Sequence, residues 1–149
     1  MSDPASEALL VQLVDQLADA VIVAAPDGVI TYWNDAATRL FGWSAEEAVG
    51  ASLDLIIPER LRARHWSGWD RVMETGVTSY GDRLLQVPAL RRDGEPLSIA
   101  FTVTLLHPNG ETRPTAIAAV LRDDTERYQE HRRLLGRLKE LESAVGDTA

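Results

Sequence analysis

The chain of 149 residues contains no cysteine. That absence excludes disulfides, thiolate nucleophiles and zinc-finger spacings together, so any metal site must use histidine, carboxylate or methionine. No apolar run approaches the length of a membrane span. The first ten residues, MSDPASEALL, start acidic and show neither a basic n-region nor a cleavage signal. The expectation is a cytoplasmic chain with no membrane contact. A net charge of −8 leaves no basic face to offset phosphate repulsion, which argues against a general nucleic-acid binder. No Ser-His-Asp set, phosphate loop, paired metal carboxylates or activated nucleophile emerges, so no enzyme is expected.

What is present suits one compact domain with terminal helices, since 45% of the residues are hydrophobic. Leu9, Leu10, Leu13 and Leu17 recur at helical spacing over residues 6–17, with Ser6 or Asp3 available as the N-cap. Two β-rich runs, 20–25 and 29–33, flank a Pro-Asp-Gly turn and read as a hairpin. Asn34 then caps a short helix stopped by Gly42, and Ser44 with Glu47 forms a capping box for the next.

Three further strands are expected at 83–90, Pro96–Leu106 and 115–121. In the middle one, Leu97, Ile99, Phe101, Val103 and Leu105 alternate with Ser98, Ala100, Thr102 and Thr104, so one face must be buried. The order predicts an α+β fold, an antiparallel five-stranded sheet with helices on one face.

The segment RARHWSGWDRVMETG, residues 62–76, carries the chemistry. A helical period from His65 reaches Gly68, Trp69 and Val72, the set expected on one inward face. A glycine inside a helix costs about 1 kcal/mol relative to alanine, so Gly68 suggests something flat or bulky near the backbone. His107 lies in a turn and His131 on the terminal helix, and both read as surface residues.

DAVIVAAPDGVITYWNDAATRLFGWSAEEAVG, RRDGEPLSIAFTV and the closing RDDTER together resemble a PAS domain over residues 20–125. Within that family, PERLRARHWSGWDRVMETG is similar to the helix that carries the proximal haem ligand in oxygen-sensing PAS histidine kinases. The resemblance implies a five-stranded PAS fold, non-covalent haem b, His65 as iron ligand and Arg71 near a haem propionate. It departs from those kinases where a strand arginine steadies bound oxygen, since only Arg83, Leu84 or Leu85 falls near that point. The light-sensing flavin branch and the photoactive yellow protein branch both need cysteine and are excluded, which leaves non-covalent flavin, beside Trp66 or Trp69, as an alternative cofactor.

If haem binds, Leu84, Leu85, Ile99, Phe101 and Val103 are expected to form the opposite wall, although the same residues also read as ordinary core. Trp69 covers a ring face or fills the helix–sheet interface. Arg64 and Arg71 pair with propionates or are simply solvated. The competing reading is a cofactor-free dimerisation or protein-interaction module with a structural His65. A diatomic gas and a downstream output domain or protein are the partners implied by the first reading.

Asp123, Asp124 and Thr125 are expected to cap the last helix. Leu134, Leu138, Leu141 and Val145 follow the 4-3-4 spacing of a coiled-coil seam, which predicts a homodimer through the terminal helices. The expected segments are a helical cap at 1–19, the sensor at 20–125 and a signalling helix at 126–149.

Overall fold

The computed structural model describes residues 3–78, 81 and 83–147; the outer ends of the expected terminal segments, residues 1–2 and 148–149, lie outside that range. Asp3 accepts from the Ala5 N–H and opens helix α1, Pro4–Gln16, with Pro4 at a first-turn position that has no N–H to satisfy. Strands β1, Ala20–Ala24, and β2, Ile30–Trp33, form the expected antiparallel hairpin. Val29 falls outside β2 because it bridges to Ser52 instead.

Asn34 caps helix α2, Asp35–Phe41, which ends at Gly42 in the left-handed conformation. Both halves of the Ser44–Glu47 capping box are formed at α3, Ala45–Ala48. A 3-10 turn, Leu53–Ile56, leads to α4, Glu59–Thr75, which stops at left-handed Gly76. Strands β3, Leu85–Leu90, β4, Pro96–Leu106, and β5, Ala116–Asp123, then precede α5, Thr125–Asp147.

All strand pairs are antiparallel and the spatial order is β2-β1-β5-β4-β3. The core lies between the inner face of this sheet and the short helices. Ile22, Ile117, Leu121, Leu97 and Ile99 meet Phe41, Ala48, Leu53, Ile56 and Trp69 there. Phe41 is fully buried, and its ring centroid lies 5.6 Å from that of Trp33.

Three details depart from the sequence pattern. Strand β3 begins at Leu85, opposite Phe101, and leaves Arg83 and Leu84 outside the ladder. Strand β5 runs two residues beyond the expected end, because Arg122 and Asp123 still find partners in Ala100 and Ile99. Alternation also fails at the start of β4, where Leu97, Ser98, Ile99 and Ala100 are all buried. There the second face is covered by the approach to α5: the Ser98 N–H donates to Thr125 Oγ1 at 3.0 Å, and the Asp124 N–H donates to the Ser98 carbonyl at 2.7 Å.

Asp123 Oδ1 accepts from the Thr125 N–H at 2.8 Å, as expected of a residue capping the last helix. The apolar faces of α1 and α5 turn outward. Leu9, Leu10 and Leu13 on α1 and Leu134, Leu138 and Leu141 on α5 are each more than half exposed. Among the described residues, no helix is long and apolar enough to cross a membrane.

Candidate functional site

Helix α4 turns His65, Trp66, Trp69, Val72 and Met73 toward the protein and most of its charged residues toward solvent, the exception being half-buried Arg62, which donates to the Ile57 and Asp54 carbonyls. The anchor is Trp69, which is buried and donates from Nε1 to the Pro26 carbonyl at 2.8 Å. Trp66, half-buried, donates from Nε1 to Asp54 Oδ1 at 2.8 Å. The His65 ring stands edge-on to Trp66, with centroids 4.5 Å apart at 83°, and lies 5.8 Å from Trp69.

Gly68 does not belong to this cluster. It is exposed, and a Cβ added there would meet nothing within 4 Å. The helical period places Gly68 on the far side of His65 from Trp69, and Trp69 sets the inward direction.

The most telling atom is His65 Nδ1, which is buried and has no hydrogen-bond partner among the described residues. Native proteins pair most buried polar atoms, and leaving one unpaired costs about 1–3 kcal/mol. Burial also lowers the imidazole pKa from its ordinary value, with the nearby Asp54 carboxylate opposing the shift. His65 is therefore neutral near pH 7, the form that binds a transition metal. A neutral imidazole with a bare, buried nitrogen among aromatic rings fits axial ligation of a haem iron, which needs a single protein nitrogen. Among the described residues, no group of three or more His, Asp or Glu side chains could hold a metal ion by itself.

The lowered pKa has a consequence for stability. The unfolded chain takes up the His65 proton near the ordinary 6.5, whereas the folded chain resists it to lower pH. The stability from neutral His65 is thus fully present above that value and is lost as the pH falls through the folded pKa. Between neutral pH and about pH 5, the urea midpoint should fall further in the wild type than in His65→Phe. Equal losses in the two proteins would contradict the burial argument.

The other expected site residues are distributed unevenly. Leu85 is half-buried and pairs with Phe101 across β3 and β4. Phe101 and Val103 are half-buried and pack at the margin of the core, with Val87, Leu105 and Ala119 beside them. Ile99 is deeper, 4% exposed and part of the core itself. Helix α4 approaches no strand as closely as α2 approaches β1, which leaves this apolar margin without a tightly apposed helix backbone. Leu84 is half exposed and precedes the strand, so it stands apart from the wall. Arg64 and Arg71 are exposed and form no ion pair among the described residues.

Two participants escaped the sequence pattern. Asp54 carries no motif that marks it as the acceptor for Trp66. Gly28 reads as a turn glycine, which its φ of 83° justifies, but it also seats the Trp66 ring: a Cβ there would lie 2.3 Å from Trp66 Cη2.

A family model described as the PAS fold matches residues 8–124. The chain is 33% identical over 139 residues to the Sensor protein FixL of Bradyrhizobium diazoefficiens, covering 93% of this chain and 26% of that protein. It is 22% identical over 145 residues to the Oxygen sensor protein DosP of Escherichia coli, covering 97% of this chain and 18% of that protein. The chain thus corresponds to a minor part of the length of either relative. Among solved structures, an RNA-binding Light-Oxygen-Voltage receptor superposes with a TM-score of 0.72 at 20% identity, covering 93% of this chain and 39% of that one, a likeness of fold alone. With its sheet order and a family match over most of its length, this chain belongs to the PAS fold family.

Proposed function

We propose that this chain is a haem-binding PAS sensory domain in which His65 holds the iron of a non-covalent haem b and the state of the site is relayed to α5. The observation that carries this reading is the unpaired, buried Nδ1 of a neutral His65. The likeness to proteins named as a sensor and an oxygen sensor supports the sensory class. Haem supplies, when bound, an iron centre that takes O2, CO or NO or changes redox state.

The chain's own residues do the rest. His65 provides a directional nitrogen bond, and Trp66 and Trp69 restrict the imidazole. Leu85, Phe101 and Val103 offer an apolar, water-poor wall suited to neutral diatomic ligands. The exposed guanidinium groups of Arg64 and Arg71 are available to propionates. The role is sensory rather than catalytic, the setting cytoplasmic, and the output passes to a downstream domain or protein.

Visible absorption of the purified chain supplied with haem tests the cofactor. A Soret band that titrates to one equivalent is expected. Flavin bands instead would move the reading to a non-covalent flavin sensor, and a chain left colourless after haem supply would favour a cofactor-free interaction module.

A second copy of the chain is the proposed partner for the terminal helices. Leu134, Leu138 and Leu141 present one exposed apolar stripe on α5, which a parallel helix from another copy would cover. Sedimentation should give a dimer for the whole chain and weaker association after removal of residues 134–149. A monomer across micromolar concentrations would refute this arrangement.

A further inference from the structure

We infer that Trp66 positions the His65 imidazole and couples helix α4 to the β1–β2 turn, so that a change at the imidazole is delivered to strand β1 through the indole. This rests on the reading of His65 as an axial ligand. Neighbouring side chains on a helix ordinarily point about 100° apart and do not face each other. Here the two rings meet edge-to-face at 4.5 Å, and both also meet Trp69. The Trp66 ring is therefore held back toward its neighbour by something beyond the helix.

Two contacts do the holding. The indole N–H donates to Asp54 in the 3-10 turn, and the far edge of the six-membered ring lies over Gly28, so close that any Cβ there would overlap it. Gly28 is bonded on both sides as well. Its N–H donates to the Ala25 carbonyl at 2.8 Å, and its carbonyl accepts from the Leu53 N–H at 3.1 Å. The second tryptophan reaches the same place, since Trp69 donates to the Pro26 carbonyl. Both indoles of α4 thus end on residues 26–28.

That turn follows directly on β1, and β1 pairs along its whole length with β5, from Ala20 opposite Leu121 to Ala24 opposite Ile117. Strand β5 leads into α5. A rotation of the His65 ring moves the Trp66 edge against Gly28, and the tightness of that seat leaves the turn no room to stay still. The route from imidazole to output helix therefore runs through residues 26–28 and β1, on the opposite side of β5 from β4.

The test uses nuclear magnetic resonance on the full chain, first without haem and then with it. Trp66→Leu should remove the ring-current displacement of the His65 ring protons and shift the amide signals of residues 26–29. Trp66→Phe should keep part of both, and Ser67→Ala, changed on the exposed side of the same turn of helix, should alter neither. Haem affinity of Trp66→Leu should fall about 10- to 100-fold, the usual cost of losing a group that orients a metal-binding histidine. In the wild type, haem uptake should itself shift residues 26–29.

Unchanged His65 ring and residue 26–29 signals in haem-free Trp66→Leu would overturn the positioning role. Haem uptake by the wild type with residues 26–29 unmoved would overturn the route. A wild-type chain that takes up no haem would overturn the axial-ligand reading, while the haem-free spectra would still decide whether Trp66 sets the His65 ring. Should Trp66→Leu not fold, Trp66→Phe and Asp54→Ala carry the same comparison, and failure of both to move the His65 ring signals would count against the proposal.

Discussion

Replacing His65 with alanine is expected to weaken haem binding by more than about 100-fold, since losing only a group that orients such a ligand costs about 10- to 100-fold. The fold should survive the change. Core helices and strands close around Phe41, Ile30 and Trp33, and His65 sits at the margin with one nitrogen unpaired. Removing a buried, unpaired polar atom relieves about 1–3 kcal/mol, which offsets much of the lost packing against Trp66 and Trp69. A Soret titration beside far-ultraviolet circular dichroism reads both effects. Equal haem affinity in a folded mutant would end the case for His65, and restored binding with added free imidazole would strengthen it.

The largest effect on stability is expected at Asn34, where alanine should cost about 3 kcal/mol through one lost helix cap and several orphaned backbone groups. Asn34 is 2% exposed. Its Oδ1 accepts from the Val21 and Ala37 N–H groups at 2.9 and 3.0 Å, while its Nδ2 donates to the Val14 and Asp19 carbonyls at 2.9 and 3.1 Å. One side chain thus joins α2, β1 and the end of α1. Asn34→Asp keeps the two accepted bonds and loses the two donated ones, so it should cost less and act mainly on α1. Urea midpoints give the totals, and hydrogen exchange over Val14 and Asp19 gives the distribution. A loss below about 1 kcal/mol for Asn34→Ala would mean that water replaces these bonds readily.

Asn34 also shows how far the sequence could be read. Its role as a cap for α2 follows from a polar residue standing before a short helical pattern. Its bonds to Val14, Asp19 and Val21 do not, because they join parts of the chain 13 to 20 residues apart whose approach depends on the assembled sheet. The β4 pattern has the same limit. Alternation located the strand to the residue but could not show that Thr125 and Asp124 would cover its polar face at Ser98.

The site divides similarly. Helical periodicity brought His65, Trp69 and Val72 to the inward side of α4 but assigned Gly68 to it as well. At about 100° per residue, Gly68 and Trp69 lie on opposite sides of His65, and only tertiary packing tells which side faces inward. Partners from distant segments, such as Asp54 and the seat at Gly28, carried no periodic signal at all. Arg64 and Arg71 were placed on α4 by sequence, yet only the structure shows both exposed.

The sheet order β2-β1-β5-β4-β3 puts the strand of this sheet that comes last in sequence at the centre. Until residues 116–123 emerge, the chain holds two separate hairpins, β1–β2 and β3–β4, and an isolated hairpin is marginal in water. Neither can borrow the other's inner face, because β5 lies between them and pairs with both. Closure therefore waits on contacts spanning about a hundred residues, a topology that folds slowly and leaves two sheet edges open in the nascent chain. Synthesis of this domain is consequently a period of exposure that ends only when its final strand arrives.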